Sequence, residues 1–241
     1  MDFFTIMIIL ITLVVFVFIV LISFVLKKSK DVKTQEFLEE ERKKLRDNVS
    51  KKRKKLLPYK DELYLQITNA MTFERLAEVR RIHTTGFLYN KHQKPIVAFE
   101  RVERGMNAKG QIIAITKKQE FVYEFQGSEI TLFSDDTLLG SWDKSGILYD
   151  ADKKRIGHAK RVSNENNEYA LVINKHTVAT IKTAPLYDTI ENTSSVTHIF
   201  EELNFGASLL ALNGSPSLKE EKWLLPLLIF EMAFYGNTTV N

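Results

Sequence analysis

The longest apolar stretch of the chain covers residues 3–26 and contains no charged residue and no proline. At about 1.5 Å rise per residue, a helix of that length is roughly 36 Å long, enough to cross a hydrocarbon core about 30 Å thick. The pattern therefore predicts an uncleaved transmembrane anchor. A cleaved signal peptide is the alternative, but no basic segment precedes the stretch and no small-residue cleavage motif follows it.

Four lysines follow the apolar stretch closely. They are Lys27, Lys28, Lys30 and Lys33. Because basic flanks favour the cytoplasmic side, the sequence predicts a single-pass protein of the cell membrane with its carboxy-terminal part in the cytoplasm. The same lysines are candidates for contact with anionic lipid headgroups. An exported domain with reversed topology is the alternative, since the absence of cysteine suits either compartment.

Residues 27–57 form a segment that is rich in Lys, Arg, Glu and Leu and contains no Gly or Pro. Pairs such as Glu39–Lys43 have the spacing that stabilises a helix, so the segment predicts a helical stalk. Four apolar residues would share one seam of that helix: Leu38, Leu45, Val49 and Leu56. Weak self-association through this seam is one interpretation, although two heptads are few for a coiled coil.

The positive charge of the chain is concentrated in the stalk. The formal net charge is +4, but residues 27–55 hold 13 basic and 6 acidic residues, so the remainder is mildly acidic. Five basic residues are consecutive: Lys51, Lys52, Arg53, Lys54 and Lys55. This cluster is interpreted either as a solvated helix face or as a contact for an anionic lipid or protein partner. Nucleic acid is a poor match, because no aromatic residues lie between the charges.

From residue 80 onward, short alternating segments are separated by polar turns, which is typical of β-hairpins. Residues 147–161 repeat the pattern of residues 87–101, with Leu, Tyr, Lys, Ile and Arg at matching places. Looser copies cover residues 130–144 and 169–183. About ten strands in one domain predict an antiparallel sheet that closes on itself, since closure removes exposed edges.

Two helices are predicted to flank these hairpins. Residues 58–79 predict a leading helix, and residues 217–235 predict a core helix that opens with a capping box, Ser217-Leu-Lys-Glu220. Pro226 is expected to kink or split the core helix. Its predicted core residues are Trp223, Leu224, Leu227, Leu228, Phe230 and Phe234. A second membrane contact is the alternative, but the apolar part is short for a span.

The predicted fold class is therefore mainly β with α. A transmembrane anchor (1–26) and a basic helical stalk (27–57) precede a β-rich domain (58–241), in which a closed antiparallel β-barrel surrounds the carboxy-terminal hydrophobic helix. Repeated units of strand, Asp or Asn turn and Ile-Gly strand, as in residues 147–157, followed by an apolar helix, resemble the tubby C-terminal superfamily. That superfamily includes the LURP-one-related proteins and the phospholipid scramblases.

The resemblance covers about residues 80–236. It implies a 12-stranded barrel around a central helix and a role in binding lipid or tethering to a membrane. The Lys/Arg motif with which tubby proteins bind phosphoinositides has no match in this chain. The scramblases carry their membrane helix at the carboxy end, whereas the predicted anchor here is at the amino end.

No residue pattern predicts a catalytic, metal or cofactor site. The five histidines lack metal-ligand spacing and the chain has no cysteine. Adjacent acids such as Asp135-Asp136 and Glu201-Glu202 would point to opposite faces of a strand. Glu231 is the lone charge of residues 223–235. It is expected to reach solvent or an Arg, and if buried it would have to be hydrogen-bonded, paired or protonated. The sequence also contains no phosphate loop and no nucleophile elbow.

These observations favour a non-enzymatic binding or tethering module, presented at the membrane surface and recognising a lipid or a protein. A lipid-active protein of scramblase type is the alternative from another class, and an enzyme comes third. The pattern predicts no cofactor and leaves the ligand and the oligomeric state open.

Overall fold

The computed structural model describes residues 13–14, 16–18, 20–22, 36, 38–58, 62–78, 81–104, 109–143, 145–160, 168–183, 196–199 and 208–236. The chain divides into two units, residues 1–44 and residues 45–241.

The first unit contains the apolar stretch, of which only short helical pieces are described. Among the described residues, no helix combines the length and the apolar character needed to cross a bilayer. The predicted single-pass anchor over residues 3–26, and the cell-membrane localisation predicted from it, are therefore not supported. Most of that stretch lies outside the described residues. Lys27, Lys28, Lys30 and Lys33 lie outside the described residues.

The second unit begins inside helix α1, whose described residues run continuously over 38–52. The helix tightens into a 3₁₀ turn at Arg53–Lys55, shortly before Pro58. Three of its four seam residues pack on strands. Leu45 shares an apolar cluster with Val102, Ile113 and Val122, and Val49 and Leu56 share another with Ala98 and Ile115. Residues 45–57 of the predicted stalk therefore belong to the same unit as the strands, whereas Leu38 lies in the first unit.

The sheet is an antiparallel meander. Its strands are β1 (Met71–Glu78), β2 (Arg81–Tyr89), β3 (Pro95–Arg104), β4 (Lys109–Ile115), β5 (Glu120–Gln126), β6 (Glu129–Ser134), β7 (Thr137–Asp143), β8 (Ile147–Asp150), β9 (Arg155–Ala159), β10 (Glu168–Ile173), β11 (His176–Lys182), β12 (Val196–Ile199) and β13 (Leu210–Leu212). Strands β1 to β11 lie in chain order, with β12 beside β1 and β13 beside β11. Each of the four repeated segments forms one hairpin of this meander.

Successive residues of the strands face opposite sides of the sheet. The outer side of β3, β4 and β5 carries α1. On the inner side, residues from most strands join one core cluster with the carboxy-terminal helix. For example, Phe125 packs edge-on against Phe234 with ring centroids 5.3 Å apart.

The carboxy-terminal helix is α2 (Leu218–Phe230), and it continues as a π-helical turn at Glu231–Tyr235. The capping box forms as the sequence predicts, because Ser217 and Glu220 bond reciprocally. The helix continues through Pro226 without splitting. The predicted core residues Trp223, Leu224, Leu227, Leu228 and Phe230 are buried, and Phe234 is half-buried.

The predicted closed β-barrel is wrong. The sheet has thirteen strands in a linear order that ends at β12 and at β13, whereas the resemblance implies twelve in a closed ring. Within the described residues, the link across this gap is one isolated bridge, Thr68 to Ser208, in which Leu209 N donates to Ile67 O at 2.9 Å. A single bridge does not make a continuous ladder, so the described sheet stays open.

The predicted leading helix over residues 58–79 is also wrong. The described part of this segment contains a 3₁₀ turn at Leu63–Leu65 and then β1. Leu63, Ile67 and Met71 have helical spacing, yet all three are buried in the core as turn, extended chain and strand. Pairing of β1 with both β2 and β12 satisfies its backbone groups and outweighs the local helical pattern.

Candidate functional site

Every second turn of an antiparallel meander lies at the same end of the sheet. The turns after β2, β4, β6, β8 and β10 therefore share one end. The first turn of α2 lies there too, because Glu220 Oε1 is 3.1 Å from His176 Nε2 and 3.5 Å from Asn174 Nδ2, at the turn after β10. This end of the sheet carries the best candidate site.

A groove of about 660 Å³ opens at this end. Four parts of the chain form it: the 3₁₀ turn Leu63–Leu65, the turn after β4, the turn after β6, and the first half of α2. Its apolar lining includes Leu63, Phe121, Leu139, Leu225 and Pro226. The groove brings together residues more than 150 positions apart in the chain.

The rim of the groove is mixed. Two leucines on it are exposed: Leu218 at 81% and Leu138 at 39%. The charged residues of the lining are Glu62, Lys118, Glu221 and Lys222. An apolar floor with a few charges of both signs at its edge is the ordinary composition of a binding site for an amphipathic ligand.

One wall of the groove is held by a hydrogen bond between Tyr64 and Glu221. The Tyr64 hydroxyl donates to Glu221 Oε1 at 3.1 Å. Burial and then this hydrogen bond raise the pKa of Tyr64 to about 12. The hydroxyl therefore stays protonated near neutral pH and acts as a donor that fixes the wall, not as a base.

The floor of the groove is held from behind by Tyr123. Its hydroxyl donates to the Pro226 carbonyl oxygen at 2.9 Å, and burial raises the pKa of Tyr123 well above its usual range. Pro226 itself has no N–H to donate to the carbonyl of Lys222, four residues earlier, which lines the groove. Tyr123 thus anchors α2 through the carbonyl of Pro226, and it does not replace the missing bond to the carbonyl of Lys222.

The predicted cluster Lys51–Lys55 is divided by the structure. Lys52 faces the sheet: its Nζ lies 3.3 Å from Glu100 Oε1, also bonds Thr85, and is 5.7 Å from the ring centre of Phe87. Burial favours a higher pKa for Glu100, but the hydrogen bond with His83 and the charge of Lys52 outweigh it, so this pKa is lowered. Lys52 is therefore a structural cation.

The other members of the cluster face outward. Lys51, Lys54 and Lys55 are exposed and Arg53 is half-buried. The Nε of Arg53 has no hydrogen-bond acceptor among the described residues. The solvated-face interpretation and the anionic-partner interpretation both concern these four residues and not Lys52.

Arg53, Lys54 and Lys55 belong to a wider group of cations at the groove end, which we call the basic patch. It consists of these three residues together with Lys91 and Lys94 of the turn after β2 and Lys117 and Lys118 of the turn after β4. Leu57 N donates to Pro95 O at 3.0 Å, and Lys117 Nζ donates to Arg53 O at 3.3 Å. These bonds join the three segments, and Lys118 lines the groove.

Other residues singled out by the sequence have structural partners. Glu231 is buried at 1% exposure and accepts a hydrogen bond from the Tyr169 hydroxyl at 3.1 Å. It therefore does not reach solvent, and it is the buried, hydrogen-bonded acid of the alternative interpretation. Described histidines such as His83 and His176 lie against Glu100 and Glu220. Among the described residues, no group of three His, Cys, Asp or Glu could hold a metal ion.

Sequence reasoning missed the groove, because Tyr64, Leu218, Glu221 and Pro226 carry no motif that links them. The chain matches no family model, no curated protein and no solved structure. The resemblance to the tubby C-terminal superfamily therefore stays a prediction, based on the hairpins and the carboxy-terminal helix.

Proposed function

We propose that the chain is a non-enzymatic binding module whose groove holds a short apolar segment of a partner protein. The observation that carries this proposal is the exposure of Leu218 and Leu138 beside an apolar floor. Exposed apolar surface that is contiguous and rimmed by polar groups is a usual feature of interaction sites. The groove volume of about 660 Å³ also falls in the usual range for ligand sites.

The rigidity of the walls supports binding over a purely structural cleft. Tyr64 bonds Glu221, Tyr123 bonds Pro226, and the capping box fixes the first turn of α2. A site held in this way loses little side-chain freedom when a ligand enters, which favours affinity. Charges of both signs at the rim suit the polar backbone and mixed side chains of a peptide.

Selection from a random peptide library against the full-length protein tests the proposal. We expect recovered peptides to share bulky apolar residues. Leu218→Asp should weaken their binding about tenfold. An acidic residue in the first turn of a helix is favourable, so this variant should remain folded.

Leu76→Asp is the matched control, because Leu76 is 36% exposed on β1 and does not line the groove. Binding should be unchanged in that variant. Recovery of no peptide, or equal binding by the two variants, would show that the groove is not a peptide site.

A further inference from the structure

We infer that the partner segment carries Asp or Glu residues beside its apolar anchor, and that the basic patch receives them. This inference rests on the proposed function of the groove and adds the charge of the ligand. It concerns the seven Lys and Arg residues of the basic patch as defined above.

The patch is continuous with the groove. Lys118 lines the groove, and its neighbour Lys117 bonds the carbonyl of Arg53 at 3.3 Å. The bond from Leu57 N to Pro95 O brings Lys54 and Lys55 beside the turn that holds Lys91 and Lys94. A peptide that leaves the groove past the turn after β4 therefore runs onto the patch.

The three segments of the patch contribute no acidic residue of their own. Residues 53–58, 90–95 and 116–119 contain no Asp and no Glu. Glu120, which follows the third segment, is already paired with Arg46 at 2.6 Å. Within the described part of the chain, Lys54, Lys55, Lys91 and Lys94 form no ion pair, whereas Arg46 and Lys52 do.

The cations of this group that form no ion pair among the described residues, Lys54, Lys55, Lys91 and Lys94, repel one another, and an acidic ligand removes that repulsion. The three segments contain no Phe, Tyr or Trp on which bases could stack. An acidic and apolar peptide therefore fits this surface better than nucleic acid does.

The test uses peptides recovered from the random library, each in three forms: as selected, with its Asp and Glu changed to Gln and Asn, and with its large apolar residues changed to Ser. Binding to the full-length protein is measured by fluorescence anisotropy. The selected form should bind about tenfold more tightly than either altered form. Raising the salt from about 0.1 M to about 1 M should weaken the selected form more than the Gln and Asn form.

Charge reversal on the protein gives the matched comparison. Lys54→Glu with Lys55→Glu should weaken the selected peptides about tenfold. The same reversal at Lys153 and Lys154, two exposed lysines in the turn after β8, should leave binding unchanged. A library selection against the Lys54→Glu, Lys55→Glu variant should recover peptides with Lys or Arg at the positions where the wild type selects acids.

The outcomes separate the two proposals. If the Gln and Asn forms bind as well as the selected forms, the groove binds peptides but the charge inference is wrong. If the Ser forms bind as well as the selected forms, the apolar floor does not hold the peptide and the proposed function fails. If an oligothymidylate displaces the selected peptides, the patch is a general anion site and the charge inference is wrong. If no form binds, the proposed function fails and the inference fails with it.

Discussion

The hydroxyl of Tyr64 reaches across 157 positions of the chain to donate a hydrogen bond to Glu221, with 3.1 Å between the two oxygens. The bond joins the 3₁₀ turn Leu63–Leu65 to α2, so it sets the width of the groove at one wall. Tyr64 is 4% exposed and Glu221 is half-buried, so water competes only partly for the bond.

Tyr64→Phe should therefore lower the free energy of unfolding by about 1 kcal/mol, since it removes one hydrogen bond to a charged acceptor and little volume. Urea denaturation of the full-length protein measures the change. Glu221→Gln keeps an acceptor at the same place and should cost less. A Phe variant as stable as the wild type would mean that the bond contributes nothing to the wall.

The same pair predicts a response to alkaline pH. The pKa of Tyr64 is raised from 10.0 to about 12 in the folded protein. The folded state therefore binds the hydroxyl proton more tightly than the unfolded state does. The stability that Tyr64 contributes is then complete below about pH 10 and is lost as the pH rises through about 12. The difference in unfolding free energy between wild type and Tyr64→Phe should shrink over that interval. A difference that stays constant from pH 9 to about pH 12 would contradict the raised pKa.

Lys52 and Lys51 are adjacent, but only Lys52 is paired with a buried acid. Lys52→Met leaves Glu100, which is 3% exposed, without its cation, and should cost about 2 kcal/mol. Lys51→Met changes an exposed residue and should stay within about 0.5 kcal/mol of the wild type. Chemical denaturation near neutral pH measures both.

The ion pair at Glu100 also predicts a response to acid. Because its folded-state pKa is lowered from 4.5, the stability from this carboxylate is present above about pH 4.5 and is lost as the pH falls through the folded value. The wild type should therefore lose stability more steeply than Lys52→Met below that pH. Parallel acid curves for the two proteins would show that Lys52 does not set the pKa of Glu100.

Alanine substitutions of Leu56 and Leu57 test whether the end of the predicted stalk is part of the folded β-rich unit. Leu56 is 2% exposed against the outer face of the sheet, and Leu57 is 37% exposed. Leu56→Ala should lower the free energy of unfolding by about 3 kcal/mol, and Leu57→Ala should cost much less. Equal and small effects would mean that α1 does not contribute to the stability of the sheet.

The hairpins were predictable because their turns are encoded locally. Asp135, Asp136 and Asn174 all have positive φ, a conformation that Asp and Asn tolerate well. The capping box at Ser217 is equally local. Residues within four positions of each other decide these features, so the sequence alone indicates them.

The packing of α1, the strand β1 and the groove depend on contacts between residues that are distant in the chain. The seam of Leu45, Val49 and Leu56 has the spacing of one apolar helix face, but spacing does not say whether a helix or a sheet covers that face. Met71 has helical spacing with Ile67 and is nonetheless the first residue of β1. The groove could not be read from the sequence, because its walls come from segments whose proximity only the finished sheet establishes.

Strands β1 to β11 stand beside their neighbours in chain order, which has a consequence for synthesis on the ribosome. Pairings between adjacent strands close only short loops, so they can form before distant segments have been synthesised. Ladders through residue 182 can therefore assemble before residues 208–236 have been made. Until α2 emerges, however, the inner face has no cover, so the nascent protein is most exposed to aggregation during the last steps of translation.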